Sequence, residues 1–133
     1  MNDIEYQCFV SEFCECMGLD DWQAVVHSEH LEINGKTVGL IHSAESGGAR
    51  GMSVYVDLGV IPEHACARVH KALLIANLTG VQDAEGFFGI HPVTGNGVYH
   101  LRHTTSQSPQ MLANRLAAVF NTVVFQYQGM VSG

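Results

Sequence analysis

Eight histidines, four cysteines and thirteen carboxylates are the residues of this chain whose types could do chemistry. Imidazole titrates near neutrality and ligates zinc readily, so metal binding and proton transfer are the first chemistries to test. Spacing argues against both. His27 and His30 are three apart in a segment read as extended, as are His100 and His103, which sets each pair on opposite faces of a strand. His64 and His70 share a predicted helix but are turned about 240° from one another. His91 and His100 can meet, because a two-residue loop at Gly95-Asn96 would set them directly opposite across a hairpin. Two facing imidazolium groups would repel and make binding sensitive to mildly acid pH. No third ligand accompanies them, so the expectation is an exposed polar pair.

Cys8, Cys14 and Cys16 lie on a predicted helix that turns the second and third by about 240° and about 80° from the first, so they do not converge on one ion. Together with Cys66 they are expected to be free thiols, and no cofactor or metal is inferred. Asp20, Asp21, Glu32, Asp57, Glu63, Asp83 and Glu85 fall mostly at predicted turns or element ends, where solvation or helix capping accounts for them. No Gly-x-Ser-x-Gly elbow is present. No catalytic residue can be named, and enzymatic activity is not expected.

The elements that carry these residues begin with an amphipathic helix from Ile4 to Met17, in which Tyr6, Val10, Phe13 and Met17 recur at helical spacing with Phe9 beside them and Gly18 as a stop. A link through Asp20, Asp21 and Trp22 leads to three strands, about His27 to Ile33, Thr37 to Ser43 and Met52 to Leu58. Asn34-Gly35 is a strong hairpin signal between the first two. The third alternates Met52, Val54, Val56 and Leu58 with Ser53, Tyr55 and Asp57, so one sheet face is buried and the other at least partly wet. The glycine-rich run Ser46 to Gly51 superficially resembles a phosphate loop. It lacks the Lys-Ser/Thr ending and precedes a strand, so it is read as a hairpin loop.

Pro62 and Gly80 frame a second helix, roughly Glu63 to Leu78. From Ala72 onward it is apolar all round: relative to Leu73, Leu74 sits near 100°, Leu78 near 140°, Ile75 near 200° and Ala76 near 300°. One face can lie on the sheet; the other needs a partner. A hairpin then pairs Phe87 to His91 with Val98 to Arg102, and adjacent Phe87 and Phe88 must point to opposite faces. Ser108-Pro109 opens a third helix with the stripe Leu112, Leu116, Val119, Phe120, Val123 and Tyr127. The order is α-β-β-β-α-β-β-α, an α+β fold with a twisted antiparallel sheet packed by helices, and residues 1–133 are expected to form a single domain.

Composition narrows the partners. Nearly half the residues (47%) are hydrophobic and 14% are charged, which excludes a disordered chain. No apolar run approaches the roughly 20 residues of a bilayer span and no basic leader opens the chain, so no membrane partner and a cytoplasmic location are expected. The net charge is −7 and the six basic residues are scattered singly, so nucleic acid is not expected as a partner. That acidity can suit a basic or amphipathic protein segment.

Four stretches together resemble the CesT-type (Tir chaperone family) type III secretion chaperones: the helix end Cys16-Met17-Gly18-Leu19, the segment Leu31 to Val38, the run Leu73-Leu74-Ile75-Ala76-Asn77-Leu78, and the hairpin Gly89-Ile90-His91-Pro92-Val93-Thr94-Gly95. The resemblance covers nearly the whole chain. It implies a homodimeric cytoplasmic chaperone that holds the N-terminal segment of a secreted effector protein in extended form, soluble and ready for the export ATPase, with neither cofactor nor catalysis. It implies a dimer interface at Val69, Leu73, Ile75, Ala76 and Leu78, and effector contacts at Phe9, Phe13, Met17, Phe88, Ile90, Val98 and Leu101. One departure is His91, where many relatives carry an acidic residue before the proline. Alternatives from other classes are a dimeric α+β enzyme or small-ligand domain, hotdog-like, and an adaptor without a secretion role.

Overall fold

The computed structural model describes residues 3–42, 51–81, 84–104 and 107–133. The glycine-rich run expected as a hairpin loop lies, apart from Gly51, outside these residues, as do Ser43 and Asp83. The described chain is α+β. Helix α1 (Asp3–Met17) is followed by α2 (Trp22–Ser28), β1 (His30–Ile33), β2 (Lys36–His42) and β3 (Gly51–Gly59). A 3₁₀ turn (Glu63–Ala65) then enters α3 (Cys66–Thr79), followed by β4 (Phe87–Ile90), β5 (Gly97–Thr104), α4 (Pro109–Ala118), a π-helical turn (Val119–Val123) and α5 (Val124–Ser132).

Two elements differ from expectation. Residues 22–28, read as link and strand, form α2, because the Asp21 carboxylate accepts the Ala24 N–H at 3.2 Å and caps a turn that buries Val25. His27 is therefore helical rather than extended. The third predicted helix follows one helical path with a wider turn inside it, where the Thr122 hydroxyl donates to the Ala118 carbonyl at 2.7 Å.

The five strands form one antiparallel sheet in the order β1-β2-β3-β5-β4. Asn34 and Gly35 both have positive φ, 50° and 77°, as a tight two-residue hairpin between β1 and β2 requires. Leu31, Val38, Val56, Tyr99 and Phe88 line up as a buried row across all five strands. His30, Gly39, Tyr55, His100 and Phe87 form the corresponding row on the opposite, more open face.

Helices complete the core on the first face. Tyr6, Phe9, Val10, Phe13 and Cys14 of α1 are buried, and the Tyr6 hydroxyl donates to the Leu40 carbonyl of β2 at 2.6 Å. Burial, reinforced by the nearby Glu29 carboxylate, pushes that phenol up to about 12. Of the stripe predicted from Leu112 to Tyr127, all but the half-buried Phe120 are buried. The Tyr127 hydroxyl donates to Gly59 O at 2.7 Å and accepts Gly97 N–H at 3.3 Å. A Cβ at Gly97 would stand 2.4 Å from that ring, so glycine is what lets α5 approach the β3–β5 seam.

Candidate functional site

Helix α3 divides into two faces. Val69, Leu73 and Ala76 are buried within the chain's own core, so these three expected interface residues already have intramolecular partners. On the other side, Leu74 is 71% exposed, Ile75 52% and Leu78 88%. The angles explain the split: these three side chains span about 100° to about 200° from the inward-facing Leu73. Ile75 and Leu78 belonged to the expected interface; Leu74 did not, although its angle placed it there.

Asn77 fixes how α3 lies. Its side-chain amide donates to Phe88 O at 3.0 Å and its carbonyl oxygen accepts Phe88 N–H at 2.6 Å. A single side chain thus pairs with the free edge of β4 as a neighbouring strand would, which blunts that edge against strand addition.

The residues expected to contact an effector do not form one surface. Phe9, Phe13, Phe88 and Leu101 are core residues; Phe88 packs edge-on against Tyr99 with ring centroids 5.0 Å apart. Ile90 is exposed and lies on the Phe88 face, whereas Val98, adjacent to buried Tyr99 on β5, points to the other. Adjacent strand residues cannot share a face, so the hairpin alone does not build a groove from this set.

Met17 is placed differently. Half-buried at the end of α1, it lines an apolar recess of about 250 Å³ with Ile33, Leu116, Ala117 and Phe120. Phe9 borders a second recess of about 260 Å³ between α1 and the start of α4, where Glu5, Glu12 and Pro109 also lie. Grooves therefore flank α1, and Leu101 of β5 borders a third recess of about 240 Å³ with Ala84, Glu85, Met111 and Arg115. Phe120 was read only as part of a core stripe; its position at the outer edge of that stripe was the available signal.

The histidines are dispersed. His100 faces Phe87 across β4 and β5, with ring centroids 4.8 Å apart, and not His91. The correction comes from the loop: His91 N–H donates to Asn96 O and Gly95 N–H to His91 O, so the hairpin closes around Pro92–Gly95 and the register shifts. The facing-imidazolium arrangement is thereby removed. His100 and His103 do lie on opposite faces of β5. His103 is fully buried, donating from Nε2 to Ser108 O at 3.0 Å and accepting at Nδ1 from Arg115 at 3.2 Å. Burial above all, together with the Arg115 charge, holds it below the ordinary imidazole range. Among the described residues, no three His, Cys, Asp or Glu side chains gather as a metal site, and all four cysteines are free. No described helix is long and apolar enough to cross a membrane.

Neither protein-family models nor curated protein sequences match the chain.

Proposed function

We propose that the chain is a protein-binding chaperone of the type III secretion kind. It acts as a homodimer, seamed along the outer face of α3, that holds the N-terminal segment of a secreted effector extended and soluble in the cytoplasm for an export ATPase. The observation that carries this reading is the exposed row Leu74, Ile75 and Leu78 on a helix whose opposite face is already packed. A two-fold seam along this face would cover all three side chains on both copies, and apolar burial of that kind opposes the cost of association of about 4–15 kcal/mol. A contiguous apolar face of this kind is what a subunit contact uses.

Cargo binding is supported by the groove at Met17 and Phe120 and by charge. Asp3, Glu5, Glu12, Glu15, Asp20, Asp21, Glu29 and Glu32 all precede Lys36, the first Lys or Arg of the sequence. The α1–α2–β1 side is thus acidic and favours a segment that mixes basic and apolar residues. A hotdog-like domain would need its sheet curled around the central helix; α3 instead sits against the β4 edge through Asn77, which counts against that alternative.

Light scattering coupled to size exclusion tests the seam first. The native chain should elute as a dimer at micromolar concentration, and Leu74→Glu or Leu78→Glu as a folded monomer; a monomeric native chain would remove the basis of the proposal. Co-purification from the native host then tests function. The expected result is one larger secreted protein bound through its N-terminal region, whereas stoichiometric recovery of a metabolite or metal would overturn the reading.

A further inference from the structure

The tip of the β4–β5 hairpin is closed by an imidazole. His91 Nδ1 accepts two backbone N–H groups at once, from Val93 at 3.1 Å and Thr94 at 3.2 Å. Only a nitrogen with a free lone pair can do this, so the ring must be neutral with its proton on Nε2. The rest of the turn closes around that contact: His91 N–H donates to Asn96 O at 2.8 Å, Gly95 N–H to His91 O at 2.9 Å, and Asn96 N–H to Thr94 Oγ1 at 3.2 Å. Gly95 takes φ +74°, which suits glycine at that bend. The imidazole does here what an Asp or Asn side chain does at the start of an Asx turn, but its accepting atom is a basic nitrogen whose single lone pair is lost on protonation.

We propose that His91 is a proton-operated clasp: the neutral ring holds the hairpin tip closed through Nδ1, and protonation of that nitrogen releases it. A proton on Nδ1 would point at two N–H donors, converting both hydrogen bonds into repulsive contacts. The groups around the ring are few. From β3, Tyr55 stands with its ring centroid 6.4 Å away, and the Asp57 carboxylate accepts from Asn96 Nδ2 at 3.1 and 3.3 Å and from Gly59 N–H at 2.9 Å. From β5, His100 is turned to Phe87. Asp57 is the only carboxylate among these groups, and a protonated His91 swinging towards it would equally give up the Val93 and Thr94 amides. This inference does not depend on the chaperone reading.

The test is an NMR titration of the intact protein beside its His91→Asn variant, since Asn can accept the same two amides without titrating in this range. At about pH 7.5 the native ring should show the Nε2–H tautomer alone. On going to about pH 5.5, exchange at the Val93 and Thr94 amides, referred to the variant at the same pH, should rise about tenfold as their proton shifts follow the ring. An Nδ1–H tautomer at neutral pH would overturn the proposal. So would amides whose exchange relative to the variant is unchanged across the titration, or an acid response that persists in His91→Asn.

Discussion

At the scale of single residues, chemistry is decided by what surrounds a side chain more than by its type. His103 occupies a strand position that could equally have faced solvent, yet it lies in the core between Ser108 and Arg115. Burial chiefly, then the Arg115 charge, lowers its proton affinity, and the Ser108 hydrogen bond opposes that only in part. His100 shifts in the same direction, through burial and then Arg102. An unfolded chain therefore binds protons at higher pH than the native one does. The stability these two groups contribute is full above the ordinary imidazole value near 6.5 and is lost as pH falls through their lowered native values. The urea midpoint should accordingly fall on acidification below about pH 6.5. His103→Gln should be less stable at neutral pH but show a shallower decline; an identical slope in the variant would contradict this assignment.

Elements show which local signals suffice and which do not. The Asn34-Gly35 turn, the alternation of β3 and the Ser108-Pro109 helix start were legible because each rests on contacts within a few residues. The Ser108 hydroxyl indeed accepts the Met111 N–H at 3.1 Å as an N-cap. Helix α2 was missed because two turns held by one Asp cap and one buried Val are too short to display a period. The His91 turn was misjudged by its loop length, since a side-chain acceptor closes it in place of a two-residue backbone turn. Asn77 presents the sharper prediction. Asn77→Ala leaves Phe88 N–H and C=O without their partner and should cost about 1–3 kcal/mol in urea unfolding. Asn77→Asp, which keeps only the acceptor, should fall between the native chain and the alanine variant; full stability in Asn77→Ala would mean that the β4 edge needs no cover.

For the whole molecule, the proposed seam on α3 and the groove beside α1 are separate surfaces, so they should be separable by mutation. Met17→Glu places a charge in the apolar recess shared with Phe120 and should weaken effector binding roughly tenfold or more while leaving the dimer intact. Leu78→Glu should do the reverse at the level of assembly, which sedimentation and a binding titration can distinguish. A Met17→Glu chain that binds cargo as the native one does would move the cargo site elsewhere. By itself, the sequence determined the class of fold, the approximate bounds of most elements, the acidity of the N-terminal third and the excess of apolar surface on α3. Those properties depend on periodicity, turn chemistry and composition, which act over a few neighbouring residues or over the chain as a whole. Only the tertiary structure decided which apolar residues the chain covers for itself. Val69, Leu73, Ala76, Phe9, Phe13, Phe88 and Leu101 are core, while Leu74, Ile75, Leu78 and Ile90 are exposed. A leucine on a helix reads the same whether its partner is the same chain or another, and the order β1-β2-β3-β5-β4 with α3 against the β4 edge is set by contacts between residues far apart in sequence.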